Sequence, residues 1–417
     1  AVPNPPQADA RAQSHADLQA LKARVRGGHG LWHPDSPIAL LDHLRRSDPR
    51  RLERLLVHAG SLPPWLARQV PYVLLVAAGS ALDAGRADEA LARIQAGLAA
   101  FRRGNEPDDI FGLVAAATLV AVAQALLGRT EHMHAALAEA ELAAVQLGSH
   151  GEPYHSSARV LVALGWSKAL LARGQVSAAL RTLQAHVASE VPSIDRDVRR
   201  HLAVLQFAAG HHGQAAAGFV DVLGRDRAAS DRVGEAVSLR HLCEIARYFG
   251  DWREVVRSAE SLLPLLQNLG HVRDEARVFQ TLAEAAADQG RVSESLQSGE
   301  RAVQLFRQVG DQASEGQSLL RRGQIRLERS QLIEAAVDFS TAHKLGIALG
   351  HADLEHGGLH GLGRAALAQG ELGKARGRMP WTLGAFGAGA LSMIGVPPFC
   401  GFFSNQFSNL MGNRRSL

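Results

Sequence analysis

Four hundred and seventeen residues suffice for two or three ordinary domains or one elongated repeat array, so length does not limit the core. A hydrophobic share of 46% excludes a mainly disordered chain, and 5% aromatics beside an excess of Ala, Leu, Arg and Gln argues against an all-β one. Forty-five Lys and Arg against 41 Asp and Glu leave +4, too mild an excess to demand nucleic acid.

The chain opens Ala1-Val-Pro-Asn-Pro-Pro, without the basic start or apolar run of a secretory signal. Residues 12–70 read as short helices around 16–26, 38–46 and 49–58, punctuated by Gly27-Gly28, Pro34 and Pro63-Pro64. They are expected to form an N-terminal helical cap, domain 1–70. Its basic cluster of Arg45, Arg46, Arg50, Arg51 and Arg54 is interrupted by Asp42, Asp48 and Glu53 and has no aromatic residues for stacking. That pattern reads as a solvated helix face.

A repeat begins next. The turns Gly250-Asp-Trp-Arg-Glu-Val, Gly290-Arg-Val-Ser-Glu-Ser, Ser330-Gln-Leu-Ile-Glu-Ala and Gly370-Glu-Leu-Gly-Lys-Ala recur every 40 residues. A second set, Gly270-His271, Gly310-Asp311 and Gly350-His351, keeps the same interval, so each unit is two helices and two turns. Earlier hinges fall at Gly210, Gly174, Gly128 and Gly85. Glycine suits a helix end because the chain leaves through a left-handed residue that a side chain disfavours. Seven residues before each hinge stand Ala78, Ala121, Ser167, Ala203, Cys243, Ala283, Gly323 and Gly363, all small, as a close helix crossing requires. Five residues after it stand Ala90, Met133, Ala179, Ala215, Val255, Ser295, Ala335 and Ala375, which supply the other side of the contact.

Small residue, hinge glycine and small residue five further on resemble the pattern of tetratricopeptide repeats, in their lengthened 40-residue form, over residues 71–377. The resemblance implies an all-α, right-handed α-solenoid of about eight antiparallel helix pairs. Leu52-Glu-Arg-Leu-Leu, Leu62-Pro-Pro-Trp-Leu-Ala and the turn at Gly85 are loosely similar to the sensor region of large ATP-dependent LuxR-type activators. No Gly-x-x-x-x-Gly-Lys-Ser/Thr phosphate loop accompanies them. In the repeat family the first helix of each pair lines a concave groove that holds ligands. Ten and six residues before the hinges, the resemblance therefore implies ligand contacts at Arg200, Arg240, Glu244, Gln280, Glu284, Gln324, His360 and Arg364. This mixed-charge stripe suits an extended peptide or a helix carrying both signs of charge.

Little else in the chain suggests chemistry. His356 and His360 share a helical face, but Gly357 stands where a zinc protease needs Glu and no third ligand is indicated. No Gly-x-Ser-x-Gly elbow is present. Cys243 occupies a small-residue packing position, and with Cys400 so far away neither a disulfide framework nor a zinc site can be drawn. The expectation is a cytoplasmic, non-enzymatic scaffold without metal or cofactor, with a regulatory or signalling role. Its expected partner is a protein or peptide in the concave groove, with no direct contact to nucleic acid.

After Arg378 the composition changes, with no charged residue from Met379 until Arg414. Residues 379–404 resemble a stretch of the proton-translocating membrane subunits of NADH:quinone oxidoreductases and Na+/H+ antiporters. The apolar run 381–396 would span about 24 Å as a helix, short of the ~30 Å hydrocarbon core. Residues 378–417 are thus expected to be an apolar membrane-type tail and the one route to membrane contact. The alternative function resting on this tail is a membrane-associated component related to those subunits.

Overall fold

The computed structural model describes residues 37–58, 70–149, 154–185 and 191–370, with short pieces between 16 and 24. The expected tail at 378–417, Ala375 and the prolines at 63 and 64 lie outside the described residues. Seventeen α-helices follow one another among the described residues, with no strand. The chain divides into two compact units, Ala1–His271 and Val272–Leu417.

Unit 1 opens with α1 (Pro37–Ser47) and α2 (Pro49–His58). Five antiparallel pairs follow: α3 (Val70–Asp83) with α4 (Ala87–Phe101), α5 (Pro107–Leu126) with α6 (Thr130–Gln146), α7 (Tyr154–Ala172) with α8 (Val176–Gln184), α9 (Pro192–Ala208) with α10 (His212–Ala228), and α11 (Arg232–Tyr248) with α12 (Trp252–Leu269). Unit 2 holds α13 (Val272–Asp288) with α14 (Val292–Gln308), α15 (Gln312–Glu328) with α16 (Leu332–Leu349), and α17 (Ala352–Ala368). Seven pairs are therefore complete among the described residues, and α17 is the first helix of an eighth. The architecture is the expected all-α helical-repeat solenoid.

All eight predicted hinges have positive φ, from Gly85 at 75° to Gly370 at 76°, and Ser330 adopts the same conformation at 59°. At Gly85 the bonds Arg86 N–H to Ala81 O and Gly85 N–H to Leu82 O close a Schellman turn. The same pair of bonds recurs at Gly128, Gly174, Gly210, Gly250, Gly290 and Ser330. The second set of turns, at Gly270, Gly310 and Gly350, is also left-handed. It has a fourth member that the glycine pattern missed, Ser230 at φ 55°. Asp231, Asp251 and Asp311 then cap the next helices, accepting from the N–H of Gly234, Glu254 and Ser314 at 2.8, 3.1 and 3.2 Å.

The small positions meet as their spacing predicts. Ser167 Oγ donates to the carbonyl of Ala179 at 2.9 Å, and Ser295 Oγ to that of Ala283 at 2.7 Å. In each case the residue seven before a hinge touches the residue five after it. Ala78 with Ala90, and Ala203 with Ala215, are likewise buried in shared clusters. At Gly323 the ring of Phe339 fills the space a side chain would need: an added Cβ would stand 2.9 Å from it.

Helix α5 is long and apolar enough to cross a membrane by length and composition alone. In the fold it packs against α4, α6 and α7, and its apolar side chains Ile110, Phe111, Val114 and Ala117 belong to the core.

Candidate functional site

In unit 1 the first helices α3, α5, α7, α9 and α11 share one face, and a cavity of about 640 Å³ opens along it. The positions ten and six residues before each hinge line this cavity in four successive pairs: Leu75 and Gly79, Thr118 and Val122, Leu164 and Lys168, Arg200 and Val204. The repeat register thus identifies a shared surface. Counting only from Arg200 onward missed Thr118 and Lys168, although the same offsets from Gly128 and Gly174 reach both.

Helix α1 forms the other wall, with Ala39, Asp42, His43, Arg45 and Arg46 lining the cavity and contacts to both α3 and α11. Leu41 and Leu44 are fully or almost fully buried, so α1 sits with its apolar side down. The Arg45 side chain passes over Gly79, 3.4 Å from where a Cβ would stand. A small residue at that groove position leaves room for the incoming helix. The N-terminal segment therefore lies along the repeats in addition to preceding them.

The basic pair on α1 corrects the expectation of a solvated helix face. Arg45 and Arg46 keep only 16% and 12% side-chain exposure. Arg46 Nη2 donates to Asp197 at 2.9 Å, its Nη1 to Asp231 at 3.0 Å and its Nε to Asp42 at 2.9 Å. Arg45 donates to Asp42 at 3.0 Å and to Asp83 at the end of α3. Local alternation of charge looked like solvation because the principal partners are remote in sequence.

Arg200, a predicted ligand contact, belongs to the same network. It donates to Asp197 at 2.7 Å and Asp226 at 2.6 Å, and reaches Asp231 at 3.4 Å. Burial would raise the Asp197 carboxyl, but Arg46, Arg200 and Lys168 outweigh it and hold it well below the usual range. Burial would likewise raise Asp42, yet Arg46 and Arg45 bring it to about 2. Asp226, fully buried, goes the other way: burial and the neighbouring Asp231 push it up to about 6 against Arg200. Burial and the charge of Lys168 push His201 down to about 3, so it is neutral beside Ser167 Oγ at 3.1 Å.

Arg240 and Glu244 pair with each other at 2.9 Å on α11, and His241, stacked on Phe219 at 4.8 Å, adds a second contact to Glu244 at 3.2 Å. Burial opposes the charge on Glu244, but His241 and Arg240 hold it at about 2. In unit 2, Glu284 on α13 meets Arg321 on α15 at 2.6 Å. Gln324 Oε1 accepts from Arg364 on α17 at 2.7 Å. These rungs place Glu284, Gln324 and Arg364 on one ladder across the first helices of unit 2. Gln280 and His360 are half-buried on the same helices. Arg321 is the rung that sequence reasoning missed, since it lies outside the chosen offsets.

Among the described residues no three His, Cys, Asp or Glu side chains gather as a metal site would require. His356 is exposed on α17. Cys243 is buried, its Sγ 3.8 Å from the carbonyl of Val255, and burial pushes its thiol up to about 11. A thiol so placed packs as a small apolar group.

No family model matches the chain, and no curated protein matches it. Two solved structures similar in fold are a signal-transduction ATPase with numerous domains carrying a tetratricopeptide-repeat sensor, from Pyrococcus horikoshii, and the Cut9–Hcn1 hetero-tetramer of APC/C. The first superposes with a TM-score of 0.55 at 15% identity, covering 82% of this chain and 54% of that one. The second gives 0.53 at 13% identity, covering 82% of this chain and 60% of that one. The chain thus spans little more than half the length of either. The likeness is one of fold. The resemblances to the LuxR-type sensor region and to the membrane subunits gain no support from these comparisons.

Proposed function

We propose that this chain is a non-catalytic, protein- or peptide-binding repeat scaffold with a regulatory role, whose groove takes a helix bearing both signs of charge. The observation that carries this reading is α1, an amphipathic helix seated across the first helices of unit 1. Its Arg45 and Arg46 are matched there by carboxylates at the end of α3, on α9 and at the N-cap of α11, while Asp42 pairs with both arginines within α1. A face that receives a helix of its own chain has the shape and charge to receive one from a partner. In that case α1 is an internal competitor, and a partner that displaces it changes the state of the molecule, which is the physical content of a regulatory role. The unit 2 ladder of Glu284, Arg321, Gln324 and Arg364 offers a second mixed-charge face. A cytoplasmic setting fits the unpaired, buried Cys243, and nothing in the charge balance favours nucleic acid.

The test uses the full chain with Arg45→Gln and Arg46→Gln, which loosens the resident helix, and a labelled peptide of the sequence Pro37–Ser47. The peptide should bind this variant more tightly than wild type, with an affinity that falls as salt rises. A version with Asp and Arg interchanged should bind weakly. Absence of binding to the variant, or equal binding of both peptides, defeats the proposal.

A further inference from the structure

The cavity beneath α1 is more than the gap left by a docked helix. Among the described residues, four polar atoms on residues that line it, Tyr72 Oη, Thr118 Oγ1, Arg196 Nε and Arg200 Nε, are buried without a hydrogen-bond partner, although Arg196 Nε lies 3.6 Å from Asp226. Tyr72 and Thr118 are only 6% and 9% exposed. Lys168 also lines the cavity, and none of the described residues gives it a hydrogen bond or ion pair. Buried polar groups are normally satisfied, so several unsatisfied ones around one space call for something that satisfies them.

Every one of these atoms can donate. The carboxylates of the lining are already engaged: Asp42 and Asp83 by Arg45, and Asp197 and Asp231 by Arg46 and Arg200. Asp226, just behind Arg200, is engaged by it as well. The uncommitted capacity therefore belongs to donors, and Lys168, which feels Asp197 and Asp83 at longer range, makes no direct ion pair among the described residues. Beside His43, Ser193 and His201, much of the remaining wall is apolar, from Leu75 and Val76 on α3 through Leu119 and Val122 on α5 to Leu161 and Leu164 on α7. A polar end facing an apolar body, at about 640 Å³, matches the size and make-up of small-molecule sites.

We infer that the cavity between α1 and the first helices of unit 1 binds a small organic acid with an apolar tail, its carboxylate on Lys168 and Thr118 and its tail among Leu75, Leu119 and Leu164. This site shares α1 and Arg200 with the peptide groove proposed above, but the titration below uses no peptide, so the two readings fail separately. Since α1 forms one wall, the occupant would also contact the helix that covers it.

The test is calorimetric titration of the full-length chain with octanoate, with octan-1-ol as the uncharged tail, octylammonium as the opposite charge and acetate as the head alone. Octanoate should bind, and octan-1-ol and octylammonium at least about tenfold more weakly, the scale of one lost charge-assisted hydrogen bond; acetate should also bind at least about tenfold more weakly, because it lacks the methylenes that the apolar wall would bury. Lys168→Met should weaken octanoate by about the same factor, and Thr118→Val by less. Met replaces an unpaired, partly buried cation with an apolar chain of similar length, so the variant should fold. If it does not, Thr118→Val and Tyr72→Phe carry the comparison. Equal binding of octanoate and octan-1-ol, octanoate affinity unchanged in the folded variants, or no heat from octanoate at millimolar concentration overturns the inference.

Discussion

Among the described residues, Ser230 and Ser330 are the two side-chain-bearing residues held at positive φ, at 55° and 59°. An L-residue in the left-handed region costs about 1–2 kcal/mol, and glycine returns part of that gain through its freer unfolded chain. Ser330→Gly should therefore stabilise by about 0.5–1 kcal/mol, read as a shift in the denaturation midpoint at constant slope. Gly323 is the opposite case. Its missing side chain is occupied by Phe339, whose ring also lies over Gly361, where an added Cβ would come within 2.3 Å. Gly323→Leu should cost about 1–3 kcal/mol or more, because both sides of the crossing are rigid and cannot give way. An unchanged denaturation midpoint would contradict the observed contact.

The decisive element is α1, whose seat depends on charge. Asp197 serves Arg46 and Arg200 together and keeps 23% side-chain exposure. Asp197→Asn leaves both guanidiniums short of a counterion. The expected cost is about 1–3 kcal/mol, below the 3–5 of a fully buried pair because Asp197 retains some solvent. Arg45 and Arg46 should then become accessible to trypsin while the repeats stay intact. Acid should have a graded effect. Asp42 and Asp197 have folded values below 3.8, so their contribution is present above that pH and is lost as pH falls through it toward 2. Asp226 has the reverse sign: its value of about 6 means that ionisation between 3.8 and 6 withdraws stability as pH rises. The methyl resonances of Leu41 and Leu44 should accordingly keep their docked positions at pH 5 and lose them on the approach to pH 2. Loss already at pH 5 would show that the carboxylates do not hold the helix.

Across the whole chain, a repeat array transmits perturbation through neighbouring helices, so stability is a sum of local terms. The Gly323→Leu lesion sits between α15 and α16. Hydrogen exchange should show lost protection in those helices and in α17, which shares Phe339 through Gly361. Amides around Val114 in α5 should keep wild-type protection. If protection instead falls equally everywhere, the chain unfolds as one cooperative block and local bookkeeping does not apply.

The period, the hinges and the small crossing positions could be read from the residues because each is imposed by local backbone geometry. A left-handed exit calls for glycine at Gly85 or Gly250, and a close crossing calls for Ala78 or Ala203. The offsets that place Arg200 on the cavity come from the same regularity. Ser230 escaped because a tolerated exception leaves no glycine to find. The role of α1 could not be read at all: Arg46 meets Asp197 and Asp231 across 151 and 185 residues of sequence. A charged helix with interrupted signs looks the same whether water or a distant carboxylate answers it. Only folding brings the ends of α3, α9 and α11 to one place, and that convergence decides that the basic pair is buried and that a donor-lined cavity lies beneath it.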